Sequence, residues 1–136
     1  MKEDIKIPKV ENVSVAVVKE WNEEKTAEVF NVYLINLRDS DISNVLVSSV
    51  GYGENKTTGE QIRTSTLRHF IGDMESQTFA KIEPIVEDVF GINNEYWVSF
   101  FEGKQVFDKK FVFLAESITE GNFINVPLME VKGVVI

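Results

Sequence analysis

The stretch Tyr96-Trp97-Val98-Ser99-Phe100-Phe101-Glu102-Gly103-Lys104-Gln105 decides the fold class. Its apolar segment leads into a glycine-containing pair, and a second segment rich in aromatic and β-branched residues follows up to Leu114. Glycine readily adopts the positive φ that a two-residue hairpin turn requires. The pattern therefore predicts two antiparallel strands, Asn94 to Glu102 and Gln105 to Leu114, joined by a turn at Gly103-Lys104.

Short apolar segments separated by polar turns continue through most of the chain, and helical periodicity is nearly absent. Further strands are predicted from Val13 to Trp21, Ala27 to Leu37, Asn44 to Val50, Gly59 to about Ile71, and Gln77 to Ile85. The tail after Ala115 has the composition of one or two more short strands. We expect a single all-β domain over residues 1–136, an antiparallel β-sandwich of about 7 to 9 strands with a layout like that of immunoglobulin or fibronectin type III domains, and a small open barrel is the alternative.

The glycine-rich segment Gly51-Tyr52-Gly53-Glu54-Asn55-Lys56-Thr57-Thr58-Gly59 has the composition of a phosphate-binding loop. Such loops lead into a helix, because the amino terminus of the helix holds the anion. The residues that follow, from Glu60 to Leu67, are rich in threonine and poor in helix formers. We interpret the segment as a turn.

Composition excludes several classes of function. The net charge of −8 opposes binding to nucleic acid or to an anionic membrane surface, so neither is an expected partner. The chain has no cysteine, which rules out disulfides and thiol chemistry. Charged residues interrupt the first eight positions, and no apolar run is long enough to span a bilayer, so we expect a cytoplasmic protein.

No motif predicts a metal, a cofactor or a catalytic residue. Asp39-Ser40-Asp41 begins like a calcium loop, but Asn44 and Val50 occupy the positions of its glycine and bidentate glutamate. His69 is the only histidine, and Ser65 on the same predicted strand face lies about 13 Å along the strand, beyond hydrogen-bond reach. We predict a partly exposed sheet histidine and a non-enzymatic protein, and a hydrolase built from acids brought together by folding is a lesser alternative.

Aromatic and β-branched side chains are the candidates for an interaction surface. Alternation places Tyr96 and Trp97 on opposite faces of their strand, and likewise Phe100 and Phe101. Trp97 and Phe101, grouped with the phenylalanines of the next strand, form either a core, which we favour, or an exposed platform. The apolar window from Val131 to Ile136 is expected to dock on its own sheet or on a second copy. The candidate surface residues are Tyr52, Tyr96, Trp97, Phe101, Val134 and Ile136.

These features favour a β-sandwich module that acts through protein–protein contacts, with a homodimer as one form of such contact, through an edge strand or an aromatic face. The alternative is a carbohydrate-binding module in which Trp97, Tyr96 or Tyr52 stacks on sugar rings.

Three segments carry a resemblance: Val32-Tyr33-Leu34-Ile35-Asn36-Leu37, Asn44-Val45-Leu46-Val47-Ser48-Ser49, and Gly51-Tyr52-Gly53. They resemble a family of small bacterial stand-alone β-sandwich proteins, some of which automated naming calls phenylalanyl-tRNA synthetase alpha subunit. The resemblance implies a link to that synthetase. The chain contains neither the arginine-bearing motif 2 nor the glycine-rich motif 3 of class II synthetases, so the resemblance implies no catalytic residue.

Overall fold

A computed structural model describes residues 9–136, which form ten strands and two short 3-10 helices. The strands are β1 (Val13–Trp21), β2 (Glu28–Asn36), β3 (Ile42–Glu54), β4 (Gln61–Arg63), β5 (Leu67–Met74), β6 (Thr78–Ile85), β7 (Asn93–Glu102), β8 (Gln105–Phe113), β9 (Ile124–Asn125) and β10 (Lys132–Val135). The 3-10 helices are Glu87–Val89 and Glu120–Asn122, and no helix in the described range is long and apolar enough to cross a membrane. The expectations for the first eight residues lie outside the described residues.

The strands form two antiparallel sheets, which confirms the all-β sandwich. The first sheet has the order β6-β2-β1-β10-β9. In the second sheet β3 is central. Strand β7 pairs with one edge of β3, and β8 pairs with β7. On the opposite edge of β3, β5 pairs with its first part and β4 with its last three residues. The predicted hairpin is confirmed, because Glu102 pairs with Gln105 across Gly103-Lys104.

The core lies between the inner faces of the two sheets. Alternate residues of β1 and β2 point inward from the first sheet, and alternate residues of β3, β7 and β8 point inward from the second. Fully buried members are Val15, Val17, Val32, Leu34, Val45, Val47, Val98, Phe100 and Phe113. Burying a valine, leucine or phenylalanine side chain stabilises the fold by about 1.5 to 3 kcal/mol each.

A second, smaller cluster covers the outer face of the first sheet. Ala16, Val18 and Ile35 are buried there beneath Val126 and its neighbours in the carboxyl-terminal segment. Strand β2 is therefore covered on both faces, which explains why its sequence is apolar at successive positions.

The carboxyl-terminal window pairs within its own sheet. Strand β10 lies between β1 and β9, with Val17 opposite Val134 and Val18 opposite Gly133. A side chain at Gly133 would overlap the backbone carbonyl oxygen of Val17, so only glycine permits this close approach. The sequence left two positions open for this window, on its own sheet or on a second copy, and the structure shows it on its own sheet.

Two predicted boundaries are wrong around the glycine-rich segment. Strand β3 continues to Glu54, because Gly51 and Gly53 leave space for Ile92 to pack against the strand. The chain reverses later, where the Asn55 side chain accepts hydrogen bonds from backbone N–H groups of the turn. The single strand predicted from Gly59 to about Ile71 is two strands, β4 and β5, because the connecting residues 64–66 are not part of a strand.

We predict that Gly133→Ala lowers the free energy of unfolding by at least about 2 kcal/mol, because the added methyl group meets backbone rather than a flexible side chain. Gly91→Ala is the matched control, since an added methyl there has no neighbour within 4 Å. Urea denaturation should place the control within about 0.5 kcal/mol of the natural protein. Equal stabilities for the two variants would show that β10 does not pack against β1 as described.

Candidate functional site

The outer face of the second sheet carries a group of apolar side chains that we call the aromatic face. It comprises Leu46, Tyr52, Phe70, Trp97, Phe101 and Val106. Cross-strand pairing brings them together: Leu46 lies opposite Phe70, and Phe101 lies opposite Val106. Ser48 lies between Trp97 on one neighbouring strand and Arg68 on the other. The face therefore extends across β5, β3, β7 and β8.

Much of this apolar surface is in contact with solvent. Phe70 is 70% exposed and Trp97 is 47% exposed, while Tyr52 and Phe101 are half-buried. Single exposed apolar residues are common on protein surfaces, but several on one sheet face make that face a candidate interaction site.

Polar and charged groups surround the Trp97 ring. Its Nε1 donates to an Asp108 carboxylate oxygen at 3.4 Å, and the Lys110 ammonium lies 6.0 Å from the ring centroid. Lys110 also lies 3.9 Å from the Glu95 carboxylate, and Ser99 donates to Asp108. Trp97 is therefore an apolar centre with charges of both signs at its border.

Two candidate surface residues are in the core, which corrects the sequence prediction. Tyr96 is 1% exposed and Val134 is 6% exposed, so neither belongs to a contact surface. Tyr96 takes the inner position on β7, and Val134 lies on a strand paired on both sides. Ile136 is partly exposed at 37%, and its backbone exchanges two hydrogen bonds with Val15.

The favoured core placement of Trp97 is also wrong. A two-residue turn pairs even-numbered residues of β7 with odd-numbered residues of β8, so Phe107 lies opposite Phe100 and Phe111 lies opposite Tyr96. The phenylalanines grouped with Trp97 from sequence therefore pack on the inner face. Trp97 itself pairs with Lys110 on the outer face.

A polar cluster that the sequence analysis missed lies between the sheets and is centred on Glu83 of β6. The Glu83 side chain is 13% exposed. Its Oε1 accepts hydrogen bonds from Ser49 Oγ and His69 Nε2, both at 2.7 Å, and its Oε2 accepts from the Tyr96 hydroxyl at 3.1 Å. The acceptor belongs to the first sheet, and the three donors belong to β5, β3 and β7 of the second. The cluster is thus a polar connection between the sheets.

A β-bulge places Glu83 in this position. The register between β2 and β6 shifts between Val32 and Tyr33, so Glu83 lies opposite the inward-facing Val32. Strict alternation from Ala80 and Ile82 would have put Glu83 on the outer face. Because a bulge leaves no clear signal in a single sequence, the partner of His69 was not predictable from spacing.

The cluster holds the Tyr96 phenol in its protonated form. Burial raises the pKa of Tyr96 well above its ordinary value, and the charge of Glu83 and its hydrogen bond raise it further. The pKa of Tyr33, on the outer face of the first sheet, is also raised, by burial and by the Glu20 carboxylate. Tyr96 therefore remains a hydrogen-bond donor to Glu83 at alkaline pH.

The hydrogen-bond order in this cluster differs from that of a nucleophilic triad. A triad places histidine between the nucleophile and the acid. Here Ser49 and His69 both donate to Glu83, so the carboxylate is central and the serine proton is directed away from the imidazole. In residues 9–136 no three His, Asp or Glu side chains are grouped so that they could hold a metal ion.

Comparisons with known proteins give no relative from which a role could be transferred. No family model, no curated protein and no solved structure matches the chain. The aromatic face and the Glu83 cluster are therefore the basis for functional inference.

We predict that Tyr96→Phe lowers the free energy of unfolding by about 1 to 3 kcal/mol at neutral pH, because Glu83 loses one donor. Above about pH 10 the unfolded state releases the tyrosine proton while the folded state retains it, so stability falls by up to about 1.4 kcal/mol per pH unit for this group. The phenylalanine variant has no phenol at position 96, so its stability does not fall with pH through this group. Its deficit relative to the natural protein should therefore shrink as pH rises.

Urea denaturation of both proteins at about pH 8, 10 and 11 measures this difference, with the value at pH 8 as the internal control. A deficit that stays constant across this range would contradict a raised pKa for Tyr96.

Proposed function

We propose that the protein is a non-enzymatic, cytoplasmic module that binds another protein through the aromatic face. The observation that carries this proposal is the exposure of Phe70 and Trp97 on one sheet face together with Leu46 and Val106. Aromatic side chains dominate the energetics of protein interfaces because they bury a large area at little entropic cost.

The charges at the border of the face fit this role. Arg68, Glu95, Asp108 and Lys110 supply both signs around the apolar centre, as in interfaces with a polar rim. These charges would orient a partner and add less to its affinity than Trp97 does.

The face fits a partner better than the β8 and β6 edges do. At one edge of the second sheet, β8 carries Asp108, Lys109 and Lys110 in succession, and at one edge of the first sheet β6 carries Lys81 and Pro84. Charged residues and proline discourage the addition of a further strand. A folded partner seated on the face avoids both edges.

Sugar binding is the second candidate, favoured by the polar groups next to Trp97. Ser48, Ser99 and Asp108 lie beside an exposed indole, as in sites where an aromatic ring stacks on a sugar and polar neighbours bind its hydroxyls. Lys110 lies over the ring and would have to move to admit a sugar, which favours the protein partner.

The resemblance to the small bacterial family adds one candidate partner, phenylalanyl-tRNA synthetase. This proposal depends on sequence segments that include Leu46 and Tyr52, two residues of the aromatic face. Purified synthetase is therefore a protein to include among the binding tests.

We predict that a photo-crosslinking amino acid replacing Ser99 captures a partner protein, because this position lies beside Trp97 on the aromatic face. The crosslinked protein is identified by mass spectrometry, purified, and titrated by calorimetry. Trp97→Ala should weaken its binding at least tenfold, since a buried tryptophan typically contributes more than 1.4 kcal/mol. Trp21→Ala is the matched control: this tryptophan is 60% exposed but lies at the end of β1 in the other sheet.

Capture of a second copy of the chain, with dimerisation weakened by Trp97→Ala, would identify the partner as the protein itself. A partner that binds equally well to both tryptophan variants would contradict the proposal. Tight binding of an oligosaccharide that is lost in Trp97→Ala, without any crosslinked protein, would replace it by the sugar-binding alternative.

A further inference from the structure

A cavity of ≈ 310 Å³ opens beside the Glu83 cluster, on the side of the second sheet opposite to the aromatic face. Its walls are mostly apolar and include Leu67, Ile85 and Val89, and Glu83, Ser49 and Tyr96 reach it from the sandwich interior. The volume is at the lower end of the range found for small-molecule sites, which are typically apolar with a few convergent polar groups. The cavity therefore has the size and lining of a site for a small ligand.

The hydrogen-bonding groups of the lining are mainly acceptors. The hydroxyl hydrogens of Ser49 and Tyr96 are donated to Glu83, and that of Thr64 is donated to the Ser65 carbonyl. The Asn94 amide nitrogen donates to the carbonyls of Val89 and Ile92. Most of the side-chain hydrogens of the lining are thus used inside the protein.

Two acceptors retain capacity toward a ligand. Glu83 Oε2 receives one hydrogen bond, from Tyr96, among the described residues, and a carboxylate oxygen can accept two. Because the Asn94 amide nitrogen is fixed by two carbonyl groups, its side-chain oxygen is the remaining polar atom of that residue. A ligand that fits these groups must donate hydrogen bonds.

The charge of the cavity favours a cation. Glu83 is the one carboxylate in the described lining, and that lining contains no lysine or arginine. A carboxylate with mostly apolar neighbours attracts a small cation more strongly than it would in open water.

We propose that this cavity binds a small primary amine in its ammonium form, with the ammonium on Glu83 and the apolar body against Leu67, Ile85 and Val89. The site is separate from the aromatic face, because it opens on the inner side of the second sheet. Binding there adds a small-molecule ligand to a module that we otherwise propose to bind protein.

Benzylamine is a suitable probe, with benzyl alcohol and benzoate as analogues of nearly the same shape. Titration followed by amide chemical shifts at about pH 8, where an alkylammonium is charged, should give saturable shifts for Gly51, Leu67 and Val86 with benzylamine. Benzyl alcohol should bind at least tenfold more weakly, and benzoate should not bind. Shifts that do not saturate, or equal affinity for benzoate, would overturn the proposal.

Glu83→Gln tests the carboxylate directly and should weaken benzylamine binding at least tenfold while leaving benzyl alcohol unchanged. Glu20→Gln is the matched control, because Glu20 is likewise a side-chain hydrogen-bond acceptor, with two donors, but lies on the outer face of the first sheet. Unchanged benzylamine affinity in Glu83→Gln would overturn the proposal.

Leu67→Trp provides a test that leaves the polar cluster intact. Leu67 lines the cavity but is 51% exposed, so a larger side chain there fills the opening without entering the core. The variant should lose benzylamine binding and keep the natural stability. Retained binding in this variant would also contradict the proposal.

Discussion

Alternation along β3 and β7 is the constraint on which the rest of the structure depends. Val45, Val47 and Val98 must face inward to fill the core, so their neighbours must face outward. Because successive side chains of a strand point to opposite faces, Tyr96 belongs to the Glu83 cluster and Trp97, the next residue, belongs to the aromatic face. The two candidate sites are therefore on opposite faces of one sheet.

The Glu83 cluster adds a polar contact between the two sheets to an interior that is mostly apolar. A buried carboxylate is tolerated only when hydrogen bonds replace its hydration, and Ser49, His69 and Tyr96 supply them. Such a contact selects one relative placement of the sheets, because three strands must position their donors together. It also leaves a charged group at the wall of a cavity, where it can serve a ligand.

Much of the fold was predictable because its signals are local. Strand β1, the turn at Gly103-Lys104 and the short strands of the tail follow from composition and spacing that neighbouring residues define. The core position of Tyr96 and the exposure of Trp97 depend on which face meets the other sheet, and a strand that is apolar on both faces does not reveal this. Applying the register of the two-residue turn would have separated Trp97 from Phe107 and Phe111, since it fixes which residues share a face.

The Glu83 cluster depends on information that local patterns lack. Its four side chains come from four strands, and the inward direction of Glu83 requires a bulge opposite Val32. Similarly, the buried position of Val134 depends on β10 lying between β1 and β9, a pairing between the two ends of the chain. Sequence spacing identified His69 as a sheet residue but gave no means of finding an acid partner fourteen positions away.

Hydroxyl-radical footprinting with mass spectrometry tests the division of β7 between two faces most directly, because it measures the solvent exposure of individual side chains. Rates are compared with those of the same residues in the urea-unfolded protein to remove differences in intrinsic reactivity. The structure predicts that Trp97 and Phe70 keep much of their unfolded reactivity, whereas Tyr96 and Phe100 are protected at least about tenfold, in line with their 1% exposure. Similar protection of Tyr96 and Trp97 would contradict the placement of both candidate sites.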